Sequence, residues 1–172
     1  MMLAARLVAL LERDGVTAAI IGGVALGAHG IARATLDTDI LVADRRVLAT
    51  TYWPRRRGIP SPDIRRGDAD DPLAGVVSFA SEDERIDLIV GRGAWMRVML
   101  ERRLWVGTGS PKLPIVDRAD LILLKLYAGS PQDLLDVRLL LQTDPATLRN
   151  EVNARLRDVP ATAVRAWQRL NH

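Results

Sequence analysis

The chain has no cysteine among its 172 residues, and it has no long apolar run. Without thiols it cannot form disulfides or cysteine-ligated metal sites, and we expect a cytoplasmic setting. No apolar stretch approaches the roughly 20 residues that a membrane-spanning helix needs, so we expect no membrane partner. The first segment, MMLAARLVALLERDG, lacks a basic leader and a cleavage site. It predicts an amphipathic helix and not a signal peptide.

Hydrophobic residues make up 48% of the chain and charged residues 26%, a balance that is typical of a globular protein. At this length we expect one compact unit. The net charge is only +3, but five arginines lie between Trp53 and Asp68. Because an arginine fork donates two parallel hydrogen bonds to a phosphate, this segment permits binding of nucleic acid. A solvated loop explains the same arginines equally well.

Hydrophobic periodicity predicts a mixed α/β core over residues 1–116 and a helical tail over residues 117–172. In the core we predict helices at residues 2–13, 24–30 and 94–103. Predicted strands lie at residues 16–21, 38–43, 75–80, 85–90, 104–106 and 113–116. Residues 54–72 hold four of the nine prolines and many charges, so they predict a loop with little regular structure.

Capping residues predict where the helices of the tail begin. Asp117 can cap a helix that reaches Tyr127, and Gly129 can end it. The pairs Ser130-Pro131 and Asp144-Pro145 each place a capping side chain before a proline at the first helical position. The sequence therefore predicts at least three consecutive helices after the α/β core.

Two aspartates one residue apart, Asp37 and Asp39, precede the apolar run Ile40-Leu41-Val42. Residues i and i+2 of a strand project to the same face, so both carboxylates lie together near a buried strand. Their repulsion near a low-dielectric core is several kcal/mol, unless a cation lies between them or one acid keeps its proton. Magnesium is the natural cation, because it prefers hard oxygen ligands.

A third acid, Asp87, lies within the strand-like segment RIDLIV. If this strand lies beside the strand of Asp37 and Asp39, the three carboxylates suffice for two divalent ions roughly 4 Å apart. The glycine pair Gly22-Gly23 follows a predicted strand and precedes a short helix. With no side chains there, backbone N–H groups can approach a triphosphate.

These motifs resemble the DNA polymerase β-type nucleotidyltransferase superfamily. The glycine pair, the segment RATLDTD at residues 33–39 and the later single aspartate are most similar to AbiEii-like toxin nucleotidyltransferases and their small bacterial relatives. The resemblance implies the small mixed sheet of that fold, flanked by helices. It also implies two Mg²⁺ ions held by Asp37, Asp39 and Asp87, and nucleotide phosphates contacted by Gly22 and Gly23.

The resemblance extends to the tail segment LLKLYAGSPQDLLDVRLLL. It implies nucleotide binding by Lys125 and a supporting or catalytic role for Asp133, although Lys125 can also extend from a core helix and Asp133 also suits a helix N-terminus. Arg33 can neutralise a phosphate or pair with a neighbouring acid. Thr35 can satisfy backbone groups before the strand. Both are kept as nucleotide-binding candidates.

The sequence therefore predicts a magnesium-dependent nucleotidyltransferase that moves a nucleoside monophosphate from a nucleoside triphosphate to an acceptor hydroxyl. By resemblance the acceptor is an RNA end, such as that of tRNA, in a toxin–antitoxin system with a cognate antitoxin protein. One alternative is the modification of a small hydroxylated molecule such as an antibiotic. Another is a nucleotidyltransferase-like antitoxin or binding module with little activity.

Overall fold

A computed structural model describes residues 2–54, 58–107 and 111–170. In these ranges the chain forms seven α-helices and seven strands. The helices are α1 (Met2–Arg13), α2 (Gly22–Ala28), α3 (Ala94–Glu101), α4 (Arg118–Ala128), α5 (Pro131–Thr143), α6 (Pro145–Arg155) and α7 (Ala161–Leu170). The strands are β1 (Ala18–Ile20), β2 (Asp37–Val42), β3 (Asp63–Arg66), β4 (Leu73–Ala80), β5 (Arg85–Gly91), β6 (Leu104–Val106) and β7 (Leu113–Ile115).

The strands form a mixed sheet in the order β3-β4-β5-β2-β1-β7-β6. β2 pairs in parallel with β5 and antiparallel with β1, so it lies in the middle of the sheet. The second half of β2, residues 40–42, is fully buried, whereas its first half is only half-buried. The acidic end of a central strand therefore opens towards the surface.

One hydrophobic cluster runs through the sheet and the C-terminal helices, and it includes Leu7 of α1, Leu41 of β2, Leu123 of α4 and Trp167 of α7. Within the tail, α4 packs against α5, α6 and α7. No helix in the described ranges is long and apolar enough to cross a lipid bilayer. The predicted class, a mixed α/β fold with a C-terminal helical tail, is confirmed.

The capping predictions for the tail are confirmed. The Asp117 carboxylate accepts a hydrogen bond from the Ala119 backbone N–H (3.0 Å), and α4 ends at Gly129 in the left-handed conformation. Ser130 and Asp133 form a reciprocal capping box at the start of α5. Asp144 accepts a hydrogen bond from the Thr147 backbone N–H at the start of α6 (3.2 Å).

Two local predictions were wrong. The predicted loop at residues 54–72 contains strand β3, which pairs antiparallel with β4. Its exposed, charged residues gave no strand signal, because the pairing depends on the backbone edge that β4 offers rather than on a buried face. Helix α2 starts at Gly22 and not after the glycine pair, so the pair forms the first turn of the helix. Arginines 55–57 of the predicted basic segment lie outside the described residues.

Candidate active site

The pairing of β2 with β5 brings the three predicted acids to one region of the sheet. The two strands are parallel, and Asp39 lies directly opposite Asp87 in the register. Asp37 lies two residues before Asp39 on β2, so its side chain projects to the same face. All three residues are half-buried. The pairing of the two acid-bearing strands, which was only a hypothesis from the sequence, is therefore present.

The electrostatic state of Asp39 reflects this crowding. Burial raises the pKa of the Asp39 carboxyl above its ordinary value, and the charges of Asp87 and Asp37 raise it further. Asp37 Oδ1 is buried and has no hydrogen-bond partner among the described residues. A cation bound here would relieve both the repulsion at Asp39 and the unsatisfied oxygen of Asp37.

The side chains do not form a ready-made metal site. In the described part of the chain, no three His, Cys, Asp or Glu side chains are grouped so that they could hold a metal ion together. Asp87 Oδ1 instead accepts a hydrogen bond from Ser78 Oγ of the neighbouring strand β4 (2.6 Å). Because three neighbouring carboxylates repel one another, a hydrogen bond from Ser78 to Asp87 favours an arrangement in which the carboxylates stay apart. The register brings the strands together, but the three carboxylates do not meet as one ligand group.

The glycine pair is packed against this acidic region. Gly22 has φ +63°, and a Cβ atom at this position would overlap the Asp39 carboxylate. A Cβ atom at Gly23 would lie only 2.8 Å from Thr35 Cβ. Thr35 Oγ1 in turn donates a hydrogen bond to the backbone oxygen of Asp37 (2.9 Å). The two glycines therefore allow the start of α2 to lie against the acidic end of β2.

Two cations lie near Asp39 and share one buried acid. Lys125 Nζ of α4 lies 2.6 Å from Asp136 Oδ2 of α5, and Arg33 Nη1 lies 2.6 Å from the same oxygen. Both cations act on Asp39, since their charges oppose the rise of its pKa. Asp136 is completely buried, and its other oxygen accepts a hydrogen bond from Gln132 Nε2 (3.0 Å). A buried acid thus fixes two positive charges beside the acidic strand end.

Asp133 supports the same cluster from the first turn of α5. Its Oδ1 accepts a hydrogen bond from Lys125 Nζ (3.1 Å), and its Oδ2 accepts one from Ser130 Oγ (2.6 Å). Burial alone would raise the pKa of Asp133, but the hydrogen bonds from Ser130 and Lys125 outweigh it and hold the pKa below its ordinary value. Asp133 is therefore both a helix cap and an ionised partner of Lys125.

Asp136 is the residue of this cluster that sequence reasoning missed. It lies in the apolar segment DLLDVRLLL, where an acid at helical spacing from Asp133 must either be exposed or have a buried partner. That spacing, together with a lysine on the preceding helix, was the available signal. The partner itself could not be identified without the packing of α4 against α5.

No protein-family model matches the sequence, and neither does any curated protein. The structure is similar to that of a nucleotidyltransferase candidate from Thermotoga maritima, with a TM-score of 0.56 and 14% identity, covering 80% of this chain and 89% of that chain. The chain has the nucleotidyltransferase fold.

A second structure extends this likeness over nearly the whole molecule. The antibiotic-resistance factor ANT(2'')-Ia matches with a TM-score of 0.54 and 14% identity, and the match covers 99% of this chain and 97% of the other. The C-terminal helices are therefore included in the likeness. Within the nucleotidyltransferase fold of this chain, the acids stand on the two central strands β2 and β5, and Lys125 stands on the first helix of the tail.

Proposed function

We propose that this protein is a nucleotidyltransferase that moves a nucleoside monophosphate from a nucleoside triphosphate to an acceptor hydroxyl. The observation that carries the proposal is the register of β2 and β5, in which Asp39 lies opposite Asp87 and on the same face as Asp37. Gly22 lies beside Asp39 and leaves backbone uncovered by a side chain there. Lys125 and Arg33 add positive charge to the same region. This combination suits a triphosphate with a bound divalent cation.

Asp37, Asp39 and Asp87 are the residues that would hold Mg²⁺, with two ions expected. The donor set fits, because it consists of carboxylate oxygens, one of them buried without a partner. Because the three carboxylates are not grouped in the described structure, the Asp87 side chain would have to move towards the other two to share a cation with them. Bound magnesium supplies charge neutralisation on the triphosphate and makes the acceptor hydroxyl more acidic.

The chain's own residues then have distinct roles. The acceptor oxygen attacks the α-phosphorus in line, the bond from that phosphorus to pyrophosphate breaks, and Asp87 accepts the hydroxyl proton. Lys125, held by Asp133 and Asp136, provides a fixed positive charge beside the acids. Arg33 is partly exposed and keeps further N–H donors for the phosphates. In this scheme catalysis consists of positioning and charge neutralisation.

For the acceptor we propose an RNA end such as that of tRNA, in keeping with the resemblance to AbiEii-like toxin enzymes and with a cognate antitoxin as partner. The exposed arginines Arg65 and Arg66 on the edge strand β3 support an anionic acceptor. A second candidate acceptor is a small hydroxylated molecule of the antibiotic type. The likeness to the antibiotic-resistance factor along almost the whole chain favours that candidate.

The two acceptors can be separated in one assay. The protein is incubated with each nucleoside triphosphate labelled at the α-phosphate, with magnesium, and with either total RNA or a panel of hydroxylated antibiotics. Label that enters RNA with the wild type, but not with Asp39→Ala, supports the RNA acceptor. Label that enters an antibiotic supports the second candidate. Label that enters neither contradicts the enzyme proposal and favours a binding module.

Gly22→Ala tests the contact between the glycine pair and Asp39, and Gly15→Ala is its matched control. Both glycines have positive φ, +63° and +73°, so each alanine should cost about 1 kcal/mol of stability from backbone strain. A Cβ atom at Gly15 meets nothing within 4 Å, whereas one at Gly22 overlaps the Asp39 carboxylate. We therefore expect a roughly 10²-fold loss of transfer rate for Gly22→Ala only, because the reacting groups are displaced.

The readouts for this pair are thermal unfolding and the initial rate of label transfer. Equal rates for the two alanine variants, after correction for the folded fraction, would show that the space beside Asp39 has no role in the reaction.

A further inference from the structure

A separate cleft lies among α5, α6 and α7, at residues that the proposed reaction does not use. Its volume is about 380 Å³, which is within the range of small-ligand pockets. Three arginines line it, one from each helix: Arg138, Arg149 and Arg169. Leu141 and Leu170 provide apolar surface between them. We call this feature the arginine cleft.

In the part of the chain that the structure describes, no carboxylate in the lining balances the positive charge of the arginine cleft. Among the described residues, Arg138 and Arg169 make no hydrogen bond or ion pair, and no Asp or Glu lines the cleft. Asp144, the chain neighbour of the lining residue Pro145, accepts a hydrogen bond from the Thr147 backbone N–H. Three like charges around one cavity repel one another, and a bound anion would remove that repulsion.

One of the three arginines is held in place before any ligand arrives. The Arg149 guanidinium lies 5.8 Å from the centre of the Trp167 ring, in a cation–π contact. Trp167 is buried, and its Nε1–H donates a hydrogen bond to Asn153 Oδ1 (2.7 Å). Among the described residues Arg149 makes no hydrogen bond, so its N–H donors remain available for a ligand. Arg149 therefore needs little ordering to bind an oxyanion.

We propose that the arginine cleft binds a nucleotide unit. The phosphate is held by the guanidinium groups, whose planar forks donate paired hydrogen bonds to phosphate oxygens. The less polar sugar and base lie on Leu141 and Leu170. The nucleotide comes either from solution or from an RNA strand, and the phosphate chemistry is the same in both cases.

Helix α5 connects the cleft to the acidic site, which comprises Asp37, Asp39 and Asp87 with the adjoining cluster of Lys125, Asp133 and Asp136. It carries Asp133 and Asp136 in its first turns, and Arg138 and Leu141 in its later turns. The two pairs are offset by five residues, which at a rise of about 1.5 Å per residue places them roughly 7.5 Å apart along the helix. A nucleotide in the cleft is thus a neighbour of the acidic site and not an occupant of it. The inference does not depend on the transfer reaction.

The test compares Arg138→Ala/Arg169→Ala with Arg13→Ala/Lys112→Ala. Both pairs remove two exposed cations, but only the first pair lines the cleft. Binding is measured in the full chain without magnesium, with a fluorescent single-stranded RNA by anisotropy and with AMP by calorimetry. We expect the cleft variant to bind one of these ligands at least about tenfold more weakly than the wild type. Thermal unfolding checks that both variants are folded.

The two ligands separate the sources of the nucleotide. Weaker RNA binding, with a salt dependence reduced by about 1.4 in log–log slope for two lost phosphate contacts, assigns the cleft to an RNA strand. Weaker AMP binding with unchanged RNA binding assigns it to a free nucleotide. Unchanged binding of both ligands, or equal losses in the control pair, would overturn the inference.

Discussion

Asp39→Asn is expected to remove most of the transfer activity and, in metal-free buffer, to raise the free energy of unfolding. The loss of activity should be at least roughly 10²–10³-fold, because the substitution removes a central charge of the acidic site and one of the residues proposed to hold Mg²⁺. The gain in stability, about 0.5–2 kcal/mol, follows because the charge at Asp39 is disfavoured by burial and by Asp87 and Asp37. A residue retained at a cost in stability is typical of a functional site.

The stability effect of Asp39→Asn should depend on pH in a defined direction. The pKa of Asp39 lies above its ordinary value of 3.8, so the folded protein retains a proton that the unfolded chain releases. The contribution of Asp39 to the free energy of unfolding is therefore lost as the pH rises through the interval between its ordinary pKa and its raised pKa in the folded protein. Asparagine does not titrate, so the advantage of the variant should be absent below the interval and complete above it.

Denaturant unfolding in the presence of a chelator measures this effect, and Asp63→Asn is the control. Asp63 lies on the edge strand β3 with 76% of its side chain exposed, and its substitution changes the net charge by the same amount. We expect Asp63→Asn to be within about 0.5 kcal/mol of the wild type at every pH. A destabilised Asp39→Asn protein, or one with full activity, would contradict the role assigned to Asp39.

The acids could be predicted from sequence because their signals are local. Asp37 and Asp39 precede an apolar run, and Asp87 interrupts one, so each is an unusual acid in a strand pattern. Their separation of i and i+2 on β2 follows from strand geometry alone. The register that places Asp39 opposite Asp87 joins residues 48 positions apart, and no local pattern specifies it. The helix caps at Asp117, Ser130 and Asp144 are local and were likewise predicted.

The remaining features depend on contacts between distant segments. Strand β3 is exposed and charged, and it is a strand only because β4 presents an edge to it. The hydrogen bond from Ser78 to Asp87 depends on the pairing of β4 with β5, which places these two residues opposite each other. The buried ion pair of Asp136 with Lys125 joins α5 to α4, so it depends on the packing of these two helices. These are pairings across the chain, which one sequence does not reveal.

Asp136→Ala is expected to cost roughly 3–5 kcal/mol of unfolding free energy, because it leaves a buried ammonium without its main partner. The side chain of Lys125 is 7% exposed and that of Asp136 is 1% exposed, so water cannot replace the lost carboxylate. Arg33, with 37% of its side chain exposed, can turn towards solvent and should contribute less to the loss. The stability of the helical tail and the placement of charge beside Asp39 thus depend on one buried acid.

Chemical denaturation of three variants checks this dependence. Asp63→Ala, which removes an exposed partner of Arg65 at 4.0 Å, should cost less than about 1 kcal/mol. The double variant Asp136→Leu/Lys125→Met replaces the buried pair with apolar side chains and should recover much of the loss seen in Asp136→Ala. If Asp136→Ala costs no more than Asp63→Ala, the cations do not depend on Asp136. If the double variant is no more stable than Asp136→Ala, an unpaired lysine is not the cause of the loss.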